Sequence, residues 1–167
     1  RGMGRAFANG VGFNGQRRRR GWRVSRHHDE RTMTLNERAE ATQKVVLKFR
    51  DKPFDWRTTA TCIHLARAQA AALGHSLPVV PQFRSALGAC KALKAAGADS
   101  LPGLLDRFFP RIPAAAAIVG DLVTIQGEAD FDSITVHSGG QKILGWHRGV
   151  SGMVPIEASE FTGAWRL

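Results

Sequence analysis

Apolar residues recur at helical spacing through the first two thirds of the chain, and the period shortens to that of strands from Ile118 onward. Thr34-Leu35-Asn36-Glu37 has the Thr-x-x-Glu form of a capping box. It predicts a helix from there to about Phe49, with Leu35, Ala39, Val46 and Phe49 on its apolar face. Asp51-Lys52-Pro53 stops that helix. A second helix opens at Cys62, with Thr58, Thr59 or Thr61 available to cap it. Its apolar face is Ile63, Ala66, Ala70 and Leu73, and Gly74 ends it. Leu77-Pro78-Val79-Val80-Pro81 reads as an extended connector. A third helix is predicted over Gln82–Ala95, ending at Gly97. A short fourth starts at Ser100, with Pro102 in its first turn, and ends before Pro110.

Short strands are predicted at Ile118–Gln126, Ser133–His137, Lys142–Trp146, Met153–Ile156 and Gly163–Leu167. Gly127, Ser138-Gly139-Gly140 and the Gly149–Gly152 stretch separate them. Helices first and strands afterwards predict an α+β fold, with the helices packed on one face of an antiparallel sheet. No internal repeat is visible.

Charge divides the chain. Residues 1–32 hold nine Arg against two acids, a net +7, and the remaining residues hold 15 Lys and Arg against 12 acids, a net +3. The high pI therefore belongs to the N-terminal stretch and does not mark residues 33–167 as a nucleic-acid binder. With six Gly and no sustained periodicity, residues 1–32 are expected to be a disordered basic extension. Met33 stands directly before the capping box, so a natural start at Met33, with a non-native extension ahead of it, is the favoured explanation. An RNA-binding arm stays open: Arg17–Arg20 followed by Trp22 could hold phosphate and stack on a base. Cys62 and Cys90 are too few for a disulfide framework, so reduced thiols and synthesis inside the cell are expected. No apolar stretch is long enough to span a bilayer, and no apolar core of a secretory signal follows the basic N-terminus. No Cys/His pairing has zinc-ligand spacing, so neither metal nor cofactor is expected.

The order of motifs carries a resemblance. A Trp56 loop precedes the Cys62 helix, then come Phe83-x-x-Ala86-x-Gly88-Ala89, Arg111-Ile112-Pro113, an alanine run, Gly120-Asp121-Leu122-Val123 and a closing Ala164-Trp165-Arg166-Leu167. Over about residues 35–167 the chain resembles a family of short phage and prophage tail-associated proteins of uncharacterised function. That family is similar in turn to NlpC-type papain-like cell-wall peptidases. The resemblance implies a papain-like domain over residues 33–167, a virion (tail) location after synthesis in the host cytoplasm, and other phage tail proteins as partners. Active NlpC-type enzymes usually place Asp before the cysteine, whereas Thr61 precedes Cys62. They place the catalytic His at the start of the strand after the Gly-Asp turn, where this chain has about Phe131.

Two functions follow. In one, Cys62 is the nucleophile of a peptidase or amidase acting on peptidoglycan. Its helix N-terminus favours thiolate, its own N–H serves as oxyanion donor, and His137 is the one candidate base on the strand. On that view Cys62 should alkylate faster than Cys90, which is spaced with Phe83, Ala86, Leu87 and Leu93 as a core residue. In the other, favoured by the missing His, the fold is a degenerate, non-catalytic tail-tip or assembly component. Cys62 is then a small buried apolar residue and His137 a strand-end residue. His64 lies around the side of the helix from Cys62, and His147 falls in a loop. Asp121 is expected to fix turn geometry, and Trp146 and Trp165 to pack.

Overall fold

The computed structural model describes residues 32–127 and 132–167, and in these four helices precede a five-stranded sheet. The arginine-rich extension through residue 31, with His27 and His28, lies outside the described residues, as does Phe131. The helices are α1 (Leu35–Phe49), α2 (Cys62–Ala72), α3 (Ala86–Ala95) and α4 (Leu101–Leu105). The strands are β1 (Leu122–Ile125), β2 (Ser133–Gly139), β3 (Lys142–Trp146), β4 (Met153–Glu157) and β5 (Gly163–Trp165). All neighbours are antiparallel, in the order β4-β3-β2-β1-β5. No helix of the described residues is long and apolar enough to cross a membrane.

Local chemistry sets the element starts. The capping box of α1 is complete: Glu37 N–H donates to Thr34 Oγ1 at 3.3 Å and Thr34 N–H donates to Glu37 Oε2 at 2.8 Å. Ser85 caps α3 by accepting from Gly88 N–H at 3.1 Å, so the helix begins after Ser85 and the predicted start at Gln82 is four residues early. Ser100 caps α4 in the same way, through Gly103 N–H. The predicted strand from Ile118 is shortened to Leu122–Ile125, because Ile118–Asp121 forms a turn with Gly120 at φ +87°.

The sheet has two covered faces. Leu122, Ile134, Val136, Leu144, Met153 and Trp165 face the helices and share their core with Phe49, Cys62, Leu65, Leu93 and Leu101. Val123, Ile143 and Ala164 face the other way and pack beneath Ile112, Ala117, Ile156 and Phe161. Each strand thus alternates between layers, as a pleated strand must.

The buried face of α1 differs from the predicted one. Leu35 is 59% exposed and Ala39 is exposed, while Arg38, Ala41, Thr42, Val45 and Phe49 are buried. Two polar residues occupy the inner face because each has a buried partner. Gln69 of α2 donates through Nε2 to Thr42 Oγ1 at 2.9 Å and to Gly120 O at 3.2 Å. A Cβ on Gly120 would lie 2.9 Å from Gln69 Nε2 and 3.0 Å from Thr42 Oγ1, so this close approach and the positive φ both require glycine.

Arg38 enters a second polar cluster, around fully buried Asp121. Arg38 Nη2 donates to Asp121 Oδ1 at 2.6 Å, Nη1 to Leu167 O at 2.5 Å, and Nε to Val119 O at 2.8 Å. Asp121 also accepts from Ile118 N–H at 2.9 Å and Leu167 N–H at 3.2 Å. Arg166 Nε adds an ion pair 3.0 Å from Asp121 Oδ2, without hydrogen-bond alignment. One carboxylate thus ties α1, the turn before β1 and the segment after β5 together. Burial pulls the Arg38 guanidinium down from its ordinary value, and the Asp121 charge opposes that shift.

Candidate functional site

Cys62 is the first residue of α2. The N-cap residue Thr61 has extended backbone but makes no side-chain cap. Its hydroxyl is engaged elsewhere, 2.8 Å from Nδ1 of His64. The helix packs on β2, and the Cys62 side chain lies against the backbone of Ile134, only 5% exposed.

Two opposing effects act on this thiol. The N–H groups of Ile134, Ile63 and Cys62 itself favour the thiolate, and desolvation by the surrounding core disfavours it. Burial is the larger, and it pushes the thiol up from its ordinary value of 9.0. The expectation that the helix N-terminus would activate Cys62 is therefore corrected. The expected order of alkylation reverses with it, since Cys90 is the more accessible cysteine. The helix end supplies a local field that the sequence reveals, but the desolvation comes from β2, which the sequence does not place.

His137 is not brought to Cys62. Val136 pairs with Leu122 and faces the helices with Ile134 and Cys62, whereas His137 pairs with Ile143 on the opposite face. The His137 ring packs edge-on to Phe161, centroids 6.1 Å apart, and Nε2–H donates to Gly140 O at 2.9 Å. The residue is 3% exposed, so the strand-end position is buried rather than open, and its Nδ1 has no hydrogen-bond partner. The pairing of Cys62 with His137 as nucleophile and base fails on strand geometry: the two residues lie on different faces of the sheet.

The other described imidazoles are also occupied elsewhere. His64 lies on the flank of α2, as its spacing predicted, with Nδ1 against Thr61. Burial holds its pKa below the ordinary value, helped by the Arg67 and Lys48 charges. His75 packs edge-on to Phe109, and His147 contacts Arg148 O through Nδ1. Among the described residues no group of three or more His, Cys, Asp or Glu is placed to hold a metal ion.

Two concavities border α2. An apolar cavity of about 140 Å³ lies between α2, α3 and the 77–83 connector, walled by Ile63, Leu77, Leu93, Leu104, Phe108 and Ile134. A polar cavity of about 280 Å³ opens beside His64, walled by Arg57, Thr58, Thr59, Gln82, Phe83 and Arg84. Sequence reading missed this second cavity because its walls come from two loops with no shared motif. A line of edge-to-face rings leads to it: Trp146–Phe54 at 5.7 Å, Phe54–Trp56 at 4.9 Å, Trp56–Phe83 at 5.8 Å.

Comparison with curated proteins finds no match. The family model called Domain of unknown function (DUF6950) matches residues 33–167, from just before the α1 cap through the segment that closes on Asp121, and the chain belongs to that family.

Proposed function

We propose that this protein is a phage or prophage tail-associated component with a papain-like, NlpC-type fold, kept as an interaction module without catalysis. The helix-then-sheet order supports the fold, with a cysteine opening the helix that packs on the second strand. The tail assignment is supported by the resemblance of the Trp56 loop, the Gly120-Asp121-Leu122-Val123 turn and the terminal Ala164-Trp165-Arg166. One observation carries the non-catalytic reading. Cys62 is buried against backbone with its thiol pushed up, and no described imidazole hydrogen-bonds to it: His64 meets Thr61 and His137 meets Gly140, so neither is engaged with the thiol to take its proton. General acid–base help of that kind is typically worth about 10²–10⁴-fold.

The test has two arms. Purified protein incubated with peptidoglycan sacculi should release no muropeptides above a buffer control, and Cys62→Ser should leave particle assembly intact. Release that disappears in Cys62→Ser would establish the alternative, a cysteine peptidase or amidase of the cell wall. In the second arm, mass spectrometry of purified particles should find the chain in the tail fraction. Its absence from every particle fraction would sink the tail assignment.

A further inference from the structure

We propose that the polar cavity beside His64 binds a small oxyanion of the phosphate class. This goes beyond the reading of the thiol site, because nothing in it requires Cys62 to react. Arg57, Arg84, Thr59, His64 and Gln82 can each donate from the wall, while the Thr58 hydroxyl is already given to Asp55 O; no carboxylate lines the wall, and the Asp55 carboxylate is engaged by the Arg57 backbone N–H at 2.9 Å. Two of the wall residues are arginines. Among the described residues the ion pairs join Arg38 and Arg166 to Asp121, Arg50 to Asp51 and Arg111 to Asp106, so neither Arg57 nor Arg84 is matched by a carboxylate. Two unmatched guanidinium groups around one concavity focus a positive potential there. Their forked N–H geometry suits the oxygens of a tetrahedral anion.

The neutral donors are held in place. Thr61 is fully buried and its hydroxyl lies 2.8 Å from His64 Nδ1, which fixes the ring; in the tautomer where the hydroxyl donates, the neutral ring keeps Nε2–H as its donor. The Phe83 ring packs 5.9 Å from the His64 ring and 5.8 Å from that of Trp56, which fixes the apolar part of the wall. Thr58 is tied to the loop backbone through Asp55 O at 3.2 Å. At about 280 Å³ the cavity is at the small end for ligand sites. A compact ion or a small monoester fits it, and a polymer does not. Two arginines favour a dianion over a monoanion, so phosphate should exceed acetate.

The N-terminal extension carries nine arginines that will also attract phosphate, so total binding does not discriminate. The test therefore reads the site itself. In the full chain, the His64 ring resonances are followed by NMR while inorganic phosphate, or acetate, is added through the millimolar range. Saturable movement with phosphate and little with acetate is expected. Arg57→Gln and Arg84→Gln should each weaken the apparent affinity about tenfold, the loss of about 1.4 kcal/mol. Arg50→Gln, at the exposed end of α1, should leave it unchanged. Arg57→Lys and Arg84→Lys keep a charge but lose the fork, and should weaken it by an intermediate factor; they decide the matter if a Gln variant unfolds. A His64 signal that stays still, or one weakened equally by Arg50→Gln, would overturn the proposal.

Discussion

Asp121 and Cys62 are both buried acids-in-waiting at the start of an element, and they have opposite fates. Asp121 is surrounded by partners from three segments: Arg38, Ile118 N–H, and the adjacent Arg166 and Leu167 N–H. Cys62 has only backbone N–H groups at the edge of an apolar core. A buried charge persists where several partners compensate its desolvation, and a buried thiol without such partners stays protonated. The Gly120-Asp121 motif, which a sequence reader associates with the lead into a catalytic strand, is here the central knot of the fold. The cysteine, which looks like the chemical centre, is packed as a core residue.

Breaking the knot should have the largest effect. Asp121→Asn removes the side-chain carboxylate that pairs with Arg38 among the described residues and leaves its buried guanidinium without that counter-charge. Removing one partner of a buried pair costs about 3–5 kcal/mol. Urea unfolding should show that loss, and the melting temperature should drop by roughly 10–20 °C. Replacing both partners, as Arg38→Met with Asp121→Leu, should recover much of the stability. A single Asp121→Asn variant within about 1 kcal/mol of the parent would mean that the knot is not where stability resides.

The thiol offers a middle-sized effect with a definite sign. The folded-state pKa of Cys62 is raised, so its contribution is fully present below the ordinary value of 9.0 and is lost as pH rises toward the folded value. The melting temperature of the parent should therefore fall above about pH 9, and Cys62→Ala should flatten that decline. The same burial predicts that Cys90 alkylates before Cys62, by roughly tenfold, because Cys62 must first be exposed by local opening. Labelling of Cys62 at a rate equal to or faster than Cys90 would restore an activated thiol and reopen the enzyme reading.

The smallest effect belongs to an exposed counterpart of the knot. Asp106 accepts from Trp165 Nε1 at 2.8 Å and from Arg111 Nε and Nη2, each at 3.0 Å, while Arg111 stacks 4.8 Å over the Trp165 ring. The Arg111 hydrogen bonds, and then that of Trp165, hold this carboxyl below its ordinary value of 3.8. Its contribution is present above that value and is lost as pH falls through the folded one. The side chain is 43% exposed, so solvent screens the pair and Asp106→Asn should cost less than about 1 kcal/mol at neutral pH. Trp165 fluorescence followed into acid should show a step in the parent below about pH 4, as the carboxyl protonates, that Asp106→Asn lacks, and the stability difference between the two proteins should close over the same range. A loss comparable to that of Asp121→Asn would erase the contrast between the buried and exposed clusters.

Much of the architecture is legible locally. Thr34 and Glu37 form the box that their spacing announces, and the glycines between strands mark the hairpin turns. The errors share a cause. The predicted inner face of α1 followed hydrophobicity: Phe49 is buried and Val46 packs against the core, but Leu35 and Ala39 are exposed while Arg38 and Thr42 are buried. Helix periodicity cannot reveal a polar residue whose partner lies 83 or 129 positions away, as those of Arg38 do. His137 is named as the base for Cys62 but lies on the far face of β2, since the face of a strand residue depends on which neighbours it pairs with.

The amino-acid sequence by itself determined the element types, the capping box of α1, the α+β order and the position of Cys62 at a helix start. Those properties depend on backbone preferences and hydrogen bonds within a few residues. Only the tertiary structure decided which polar groups are buried, that Cys62 is desolvated and on the other face of the sheet from His137, and that Arg57, His64 and Arg84 share one cavity. Desolvation and charge pairing are set by what lies beside a side chain in space, and that is fixed when the helices close on the sheet.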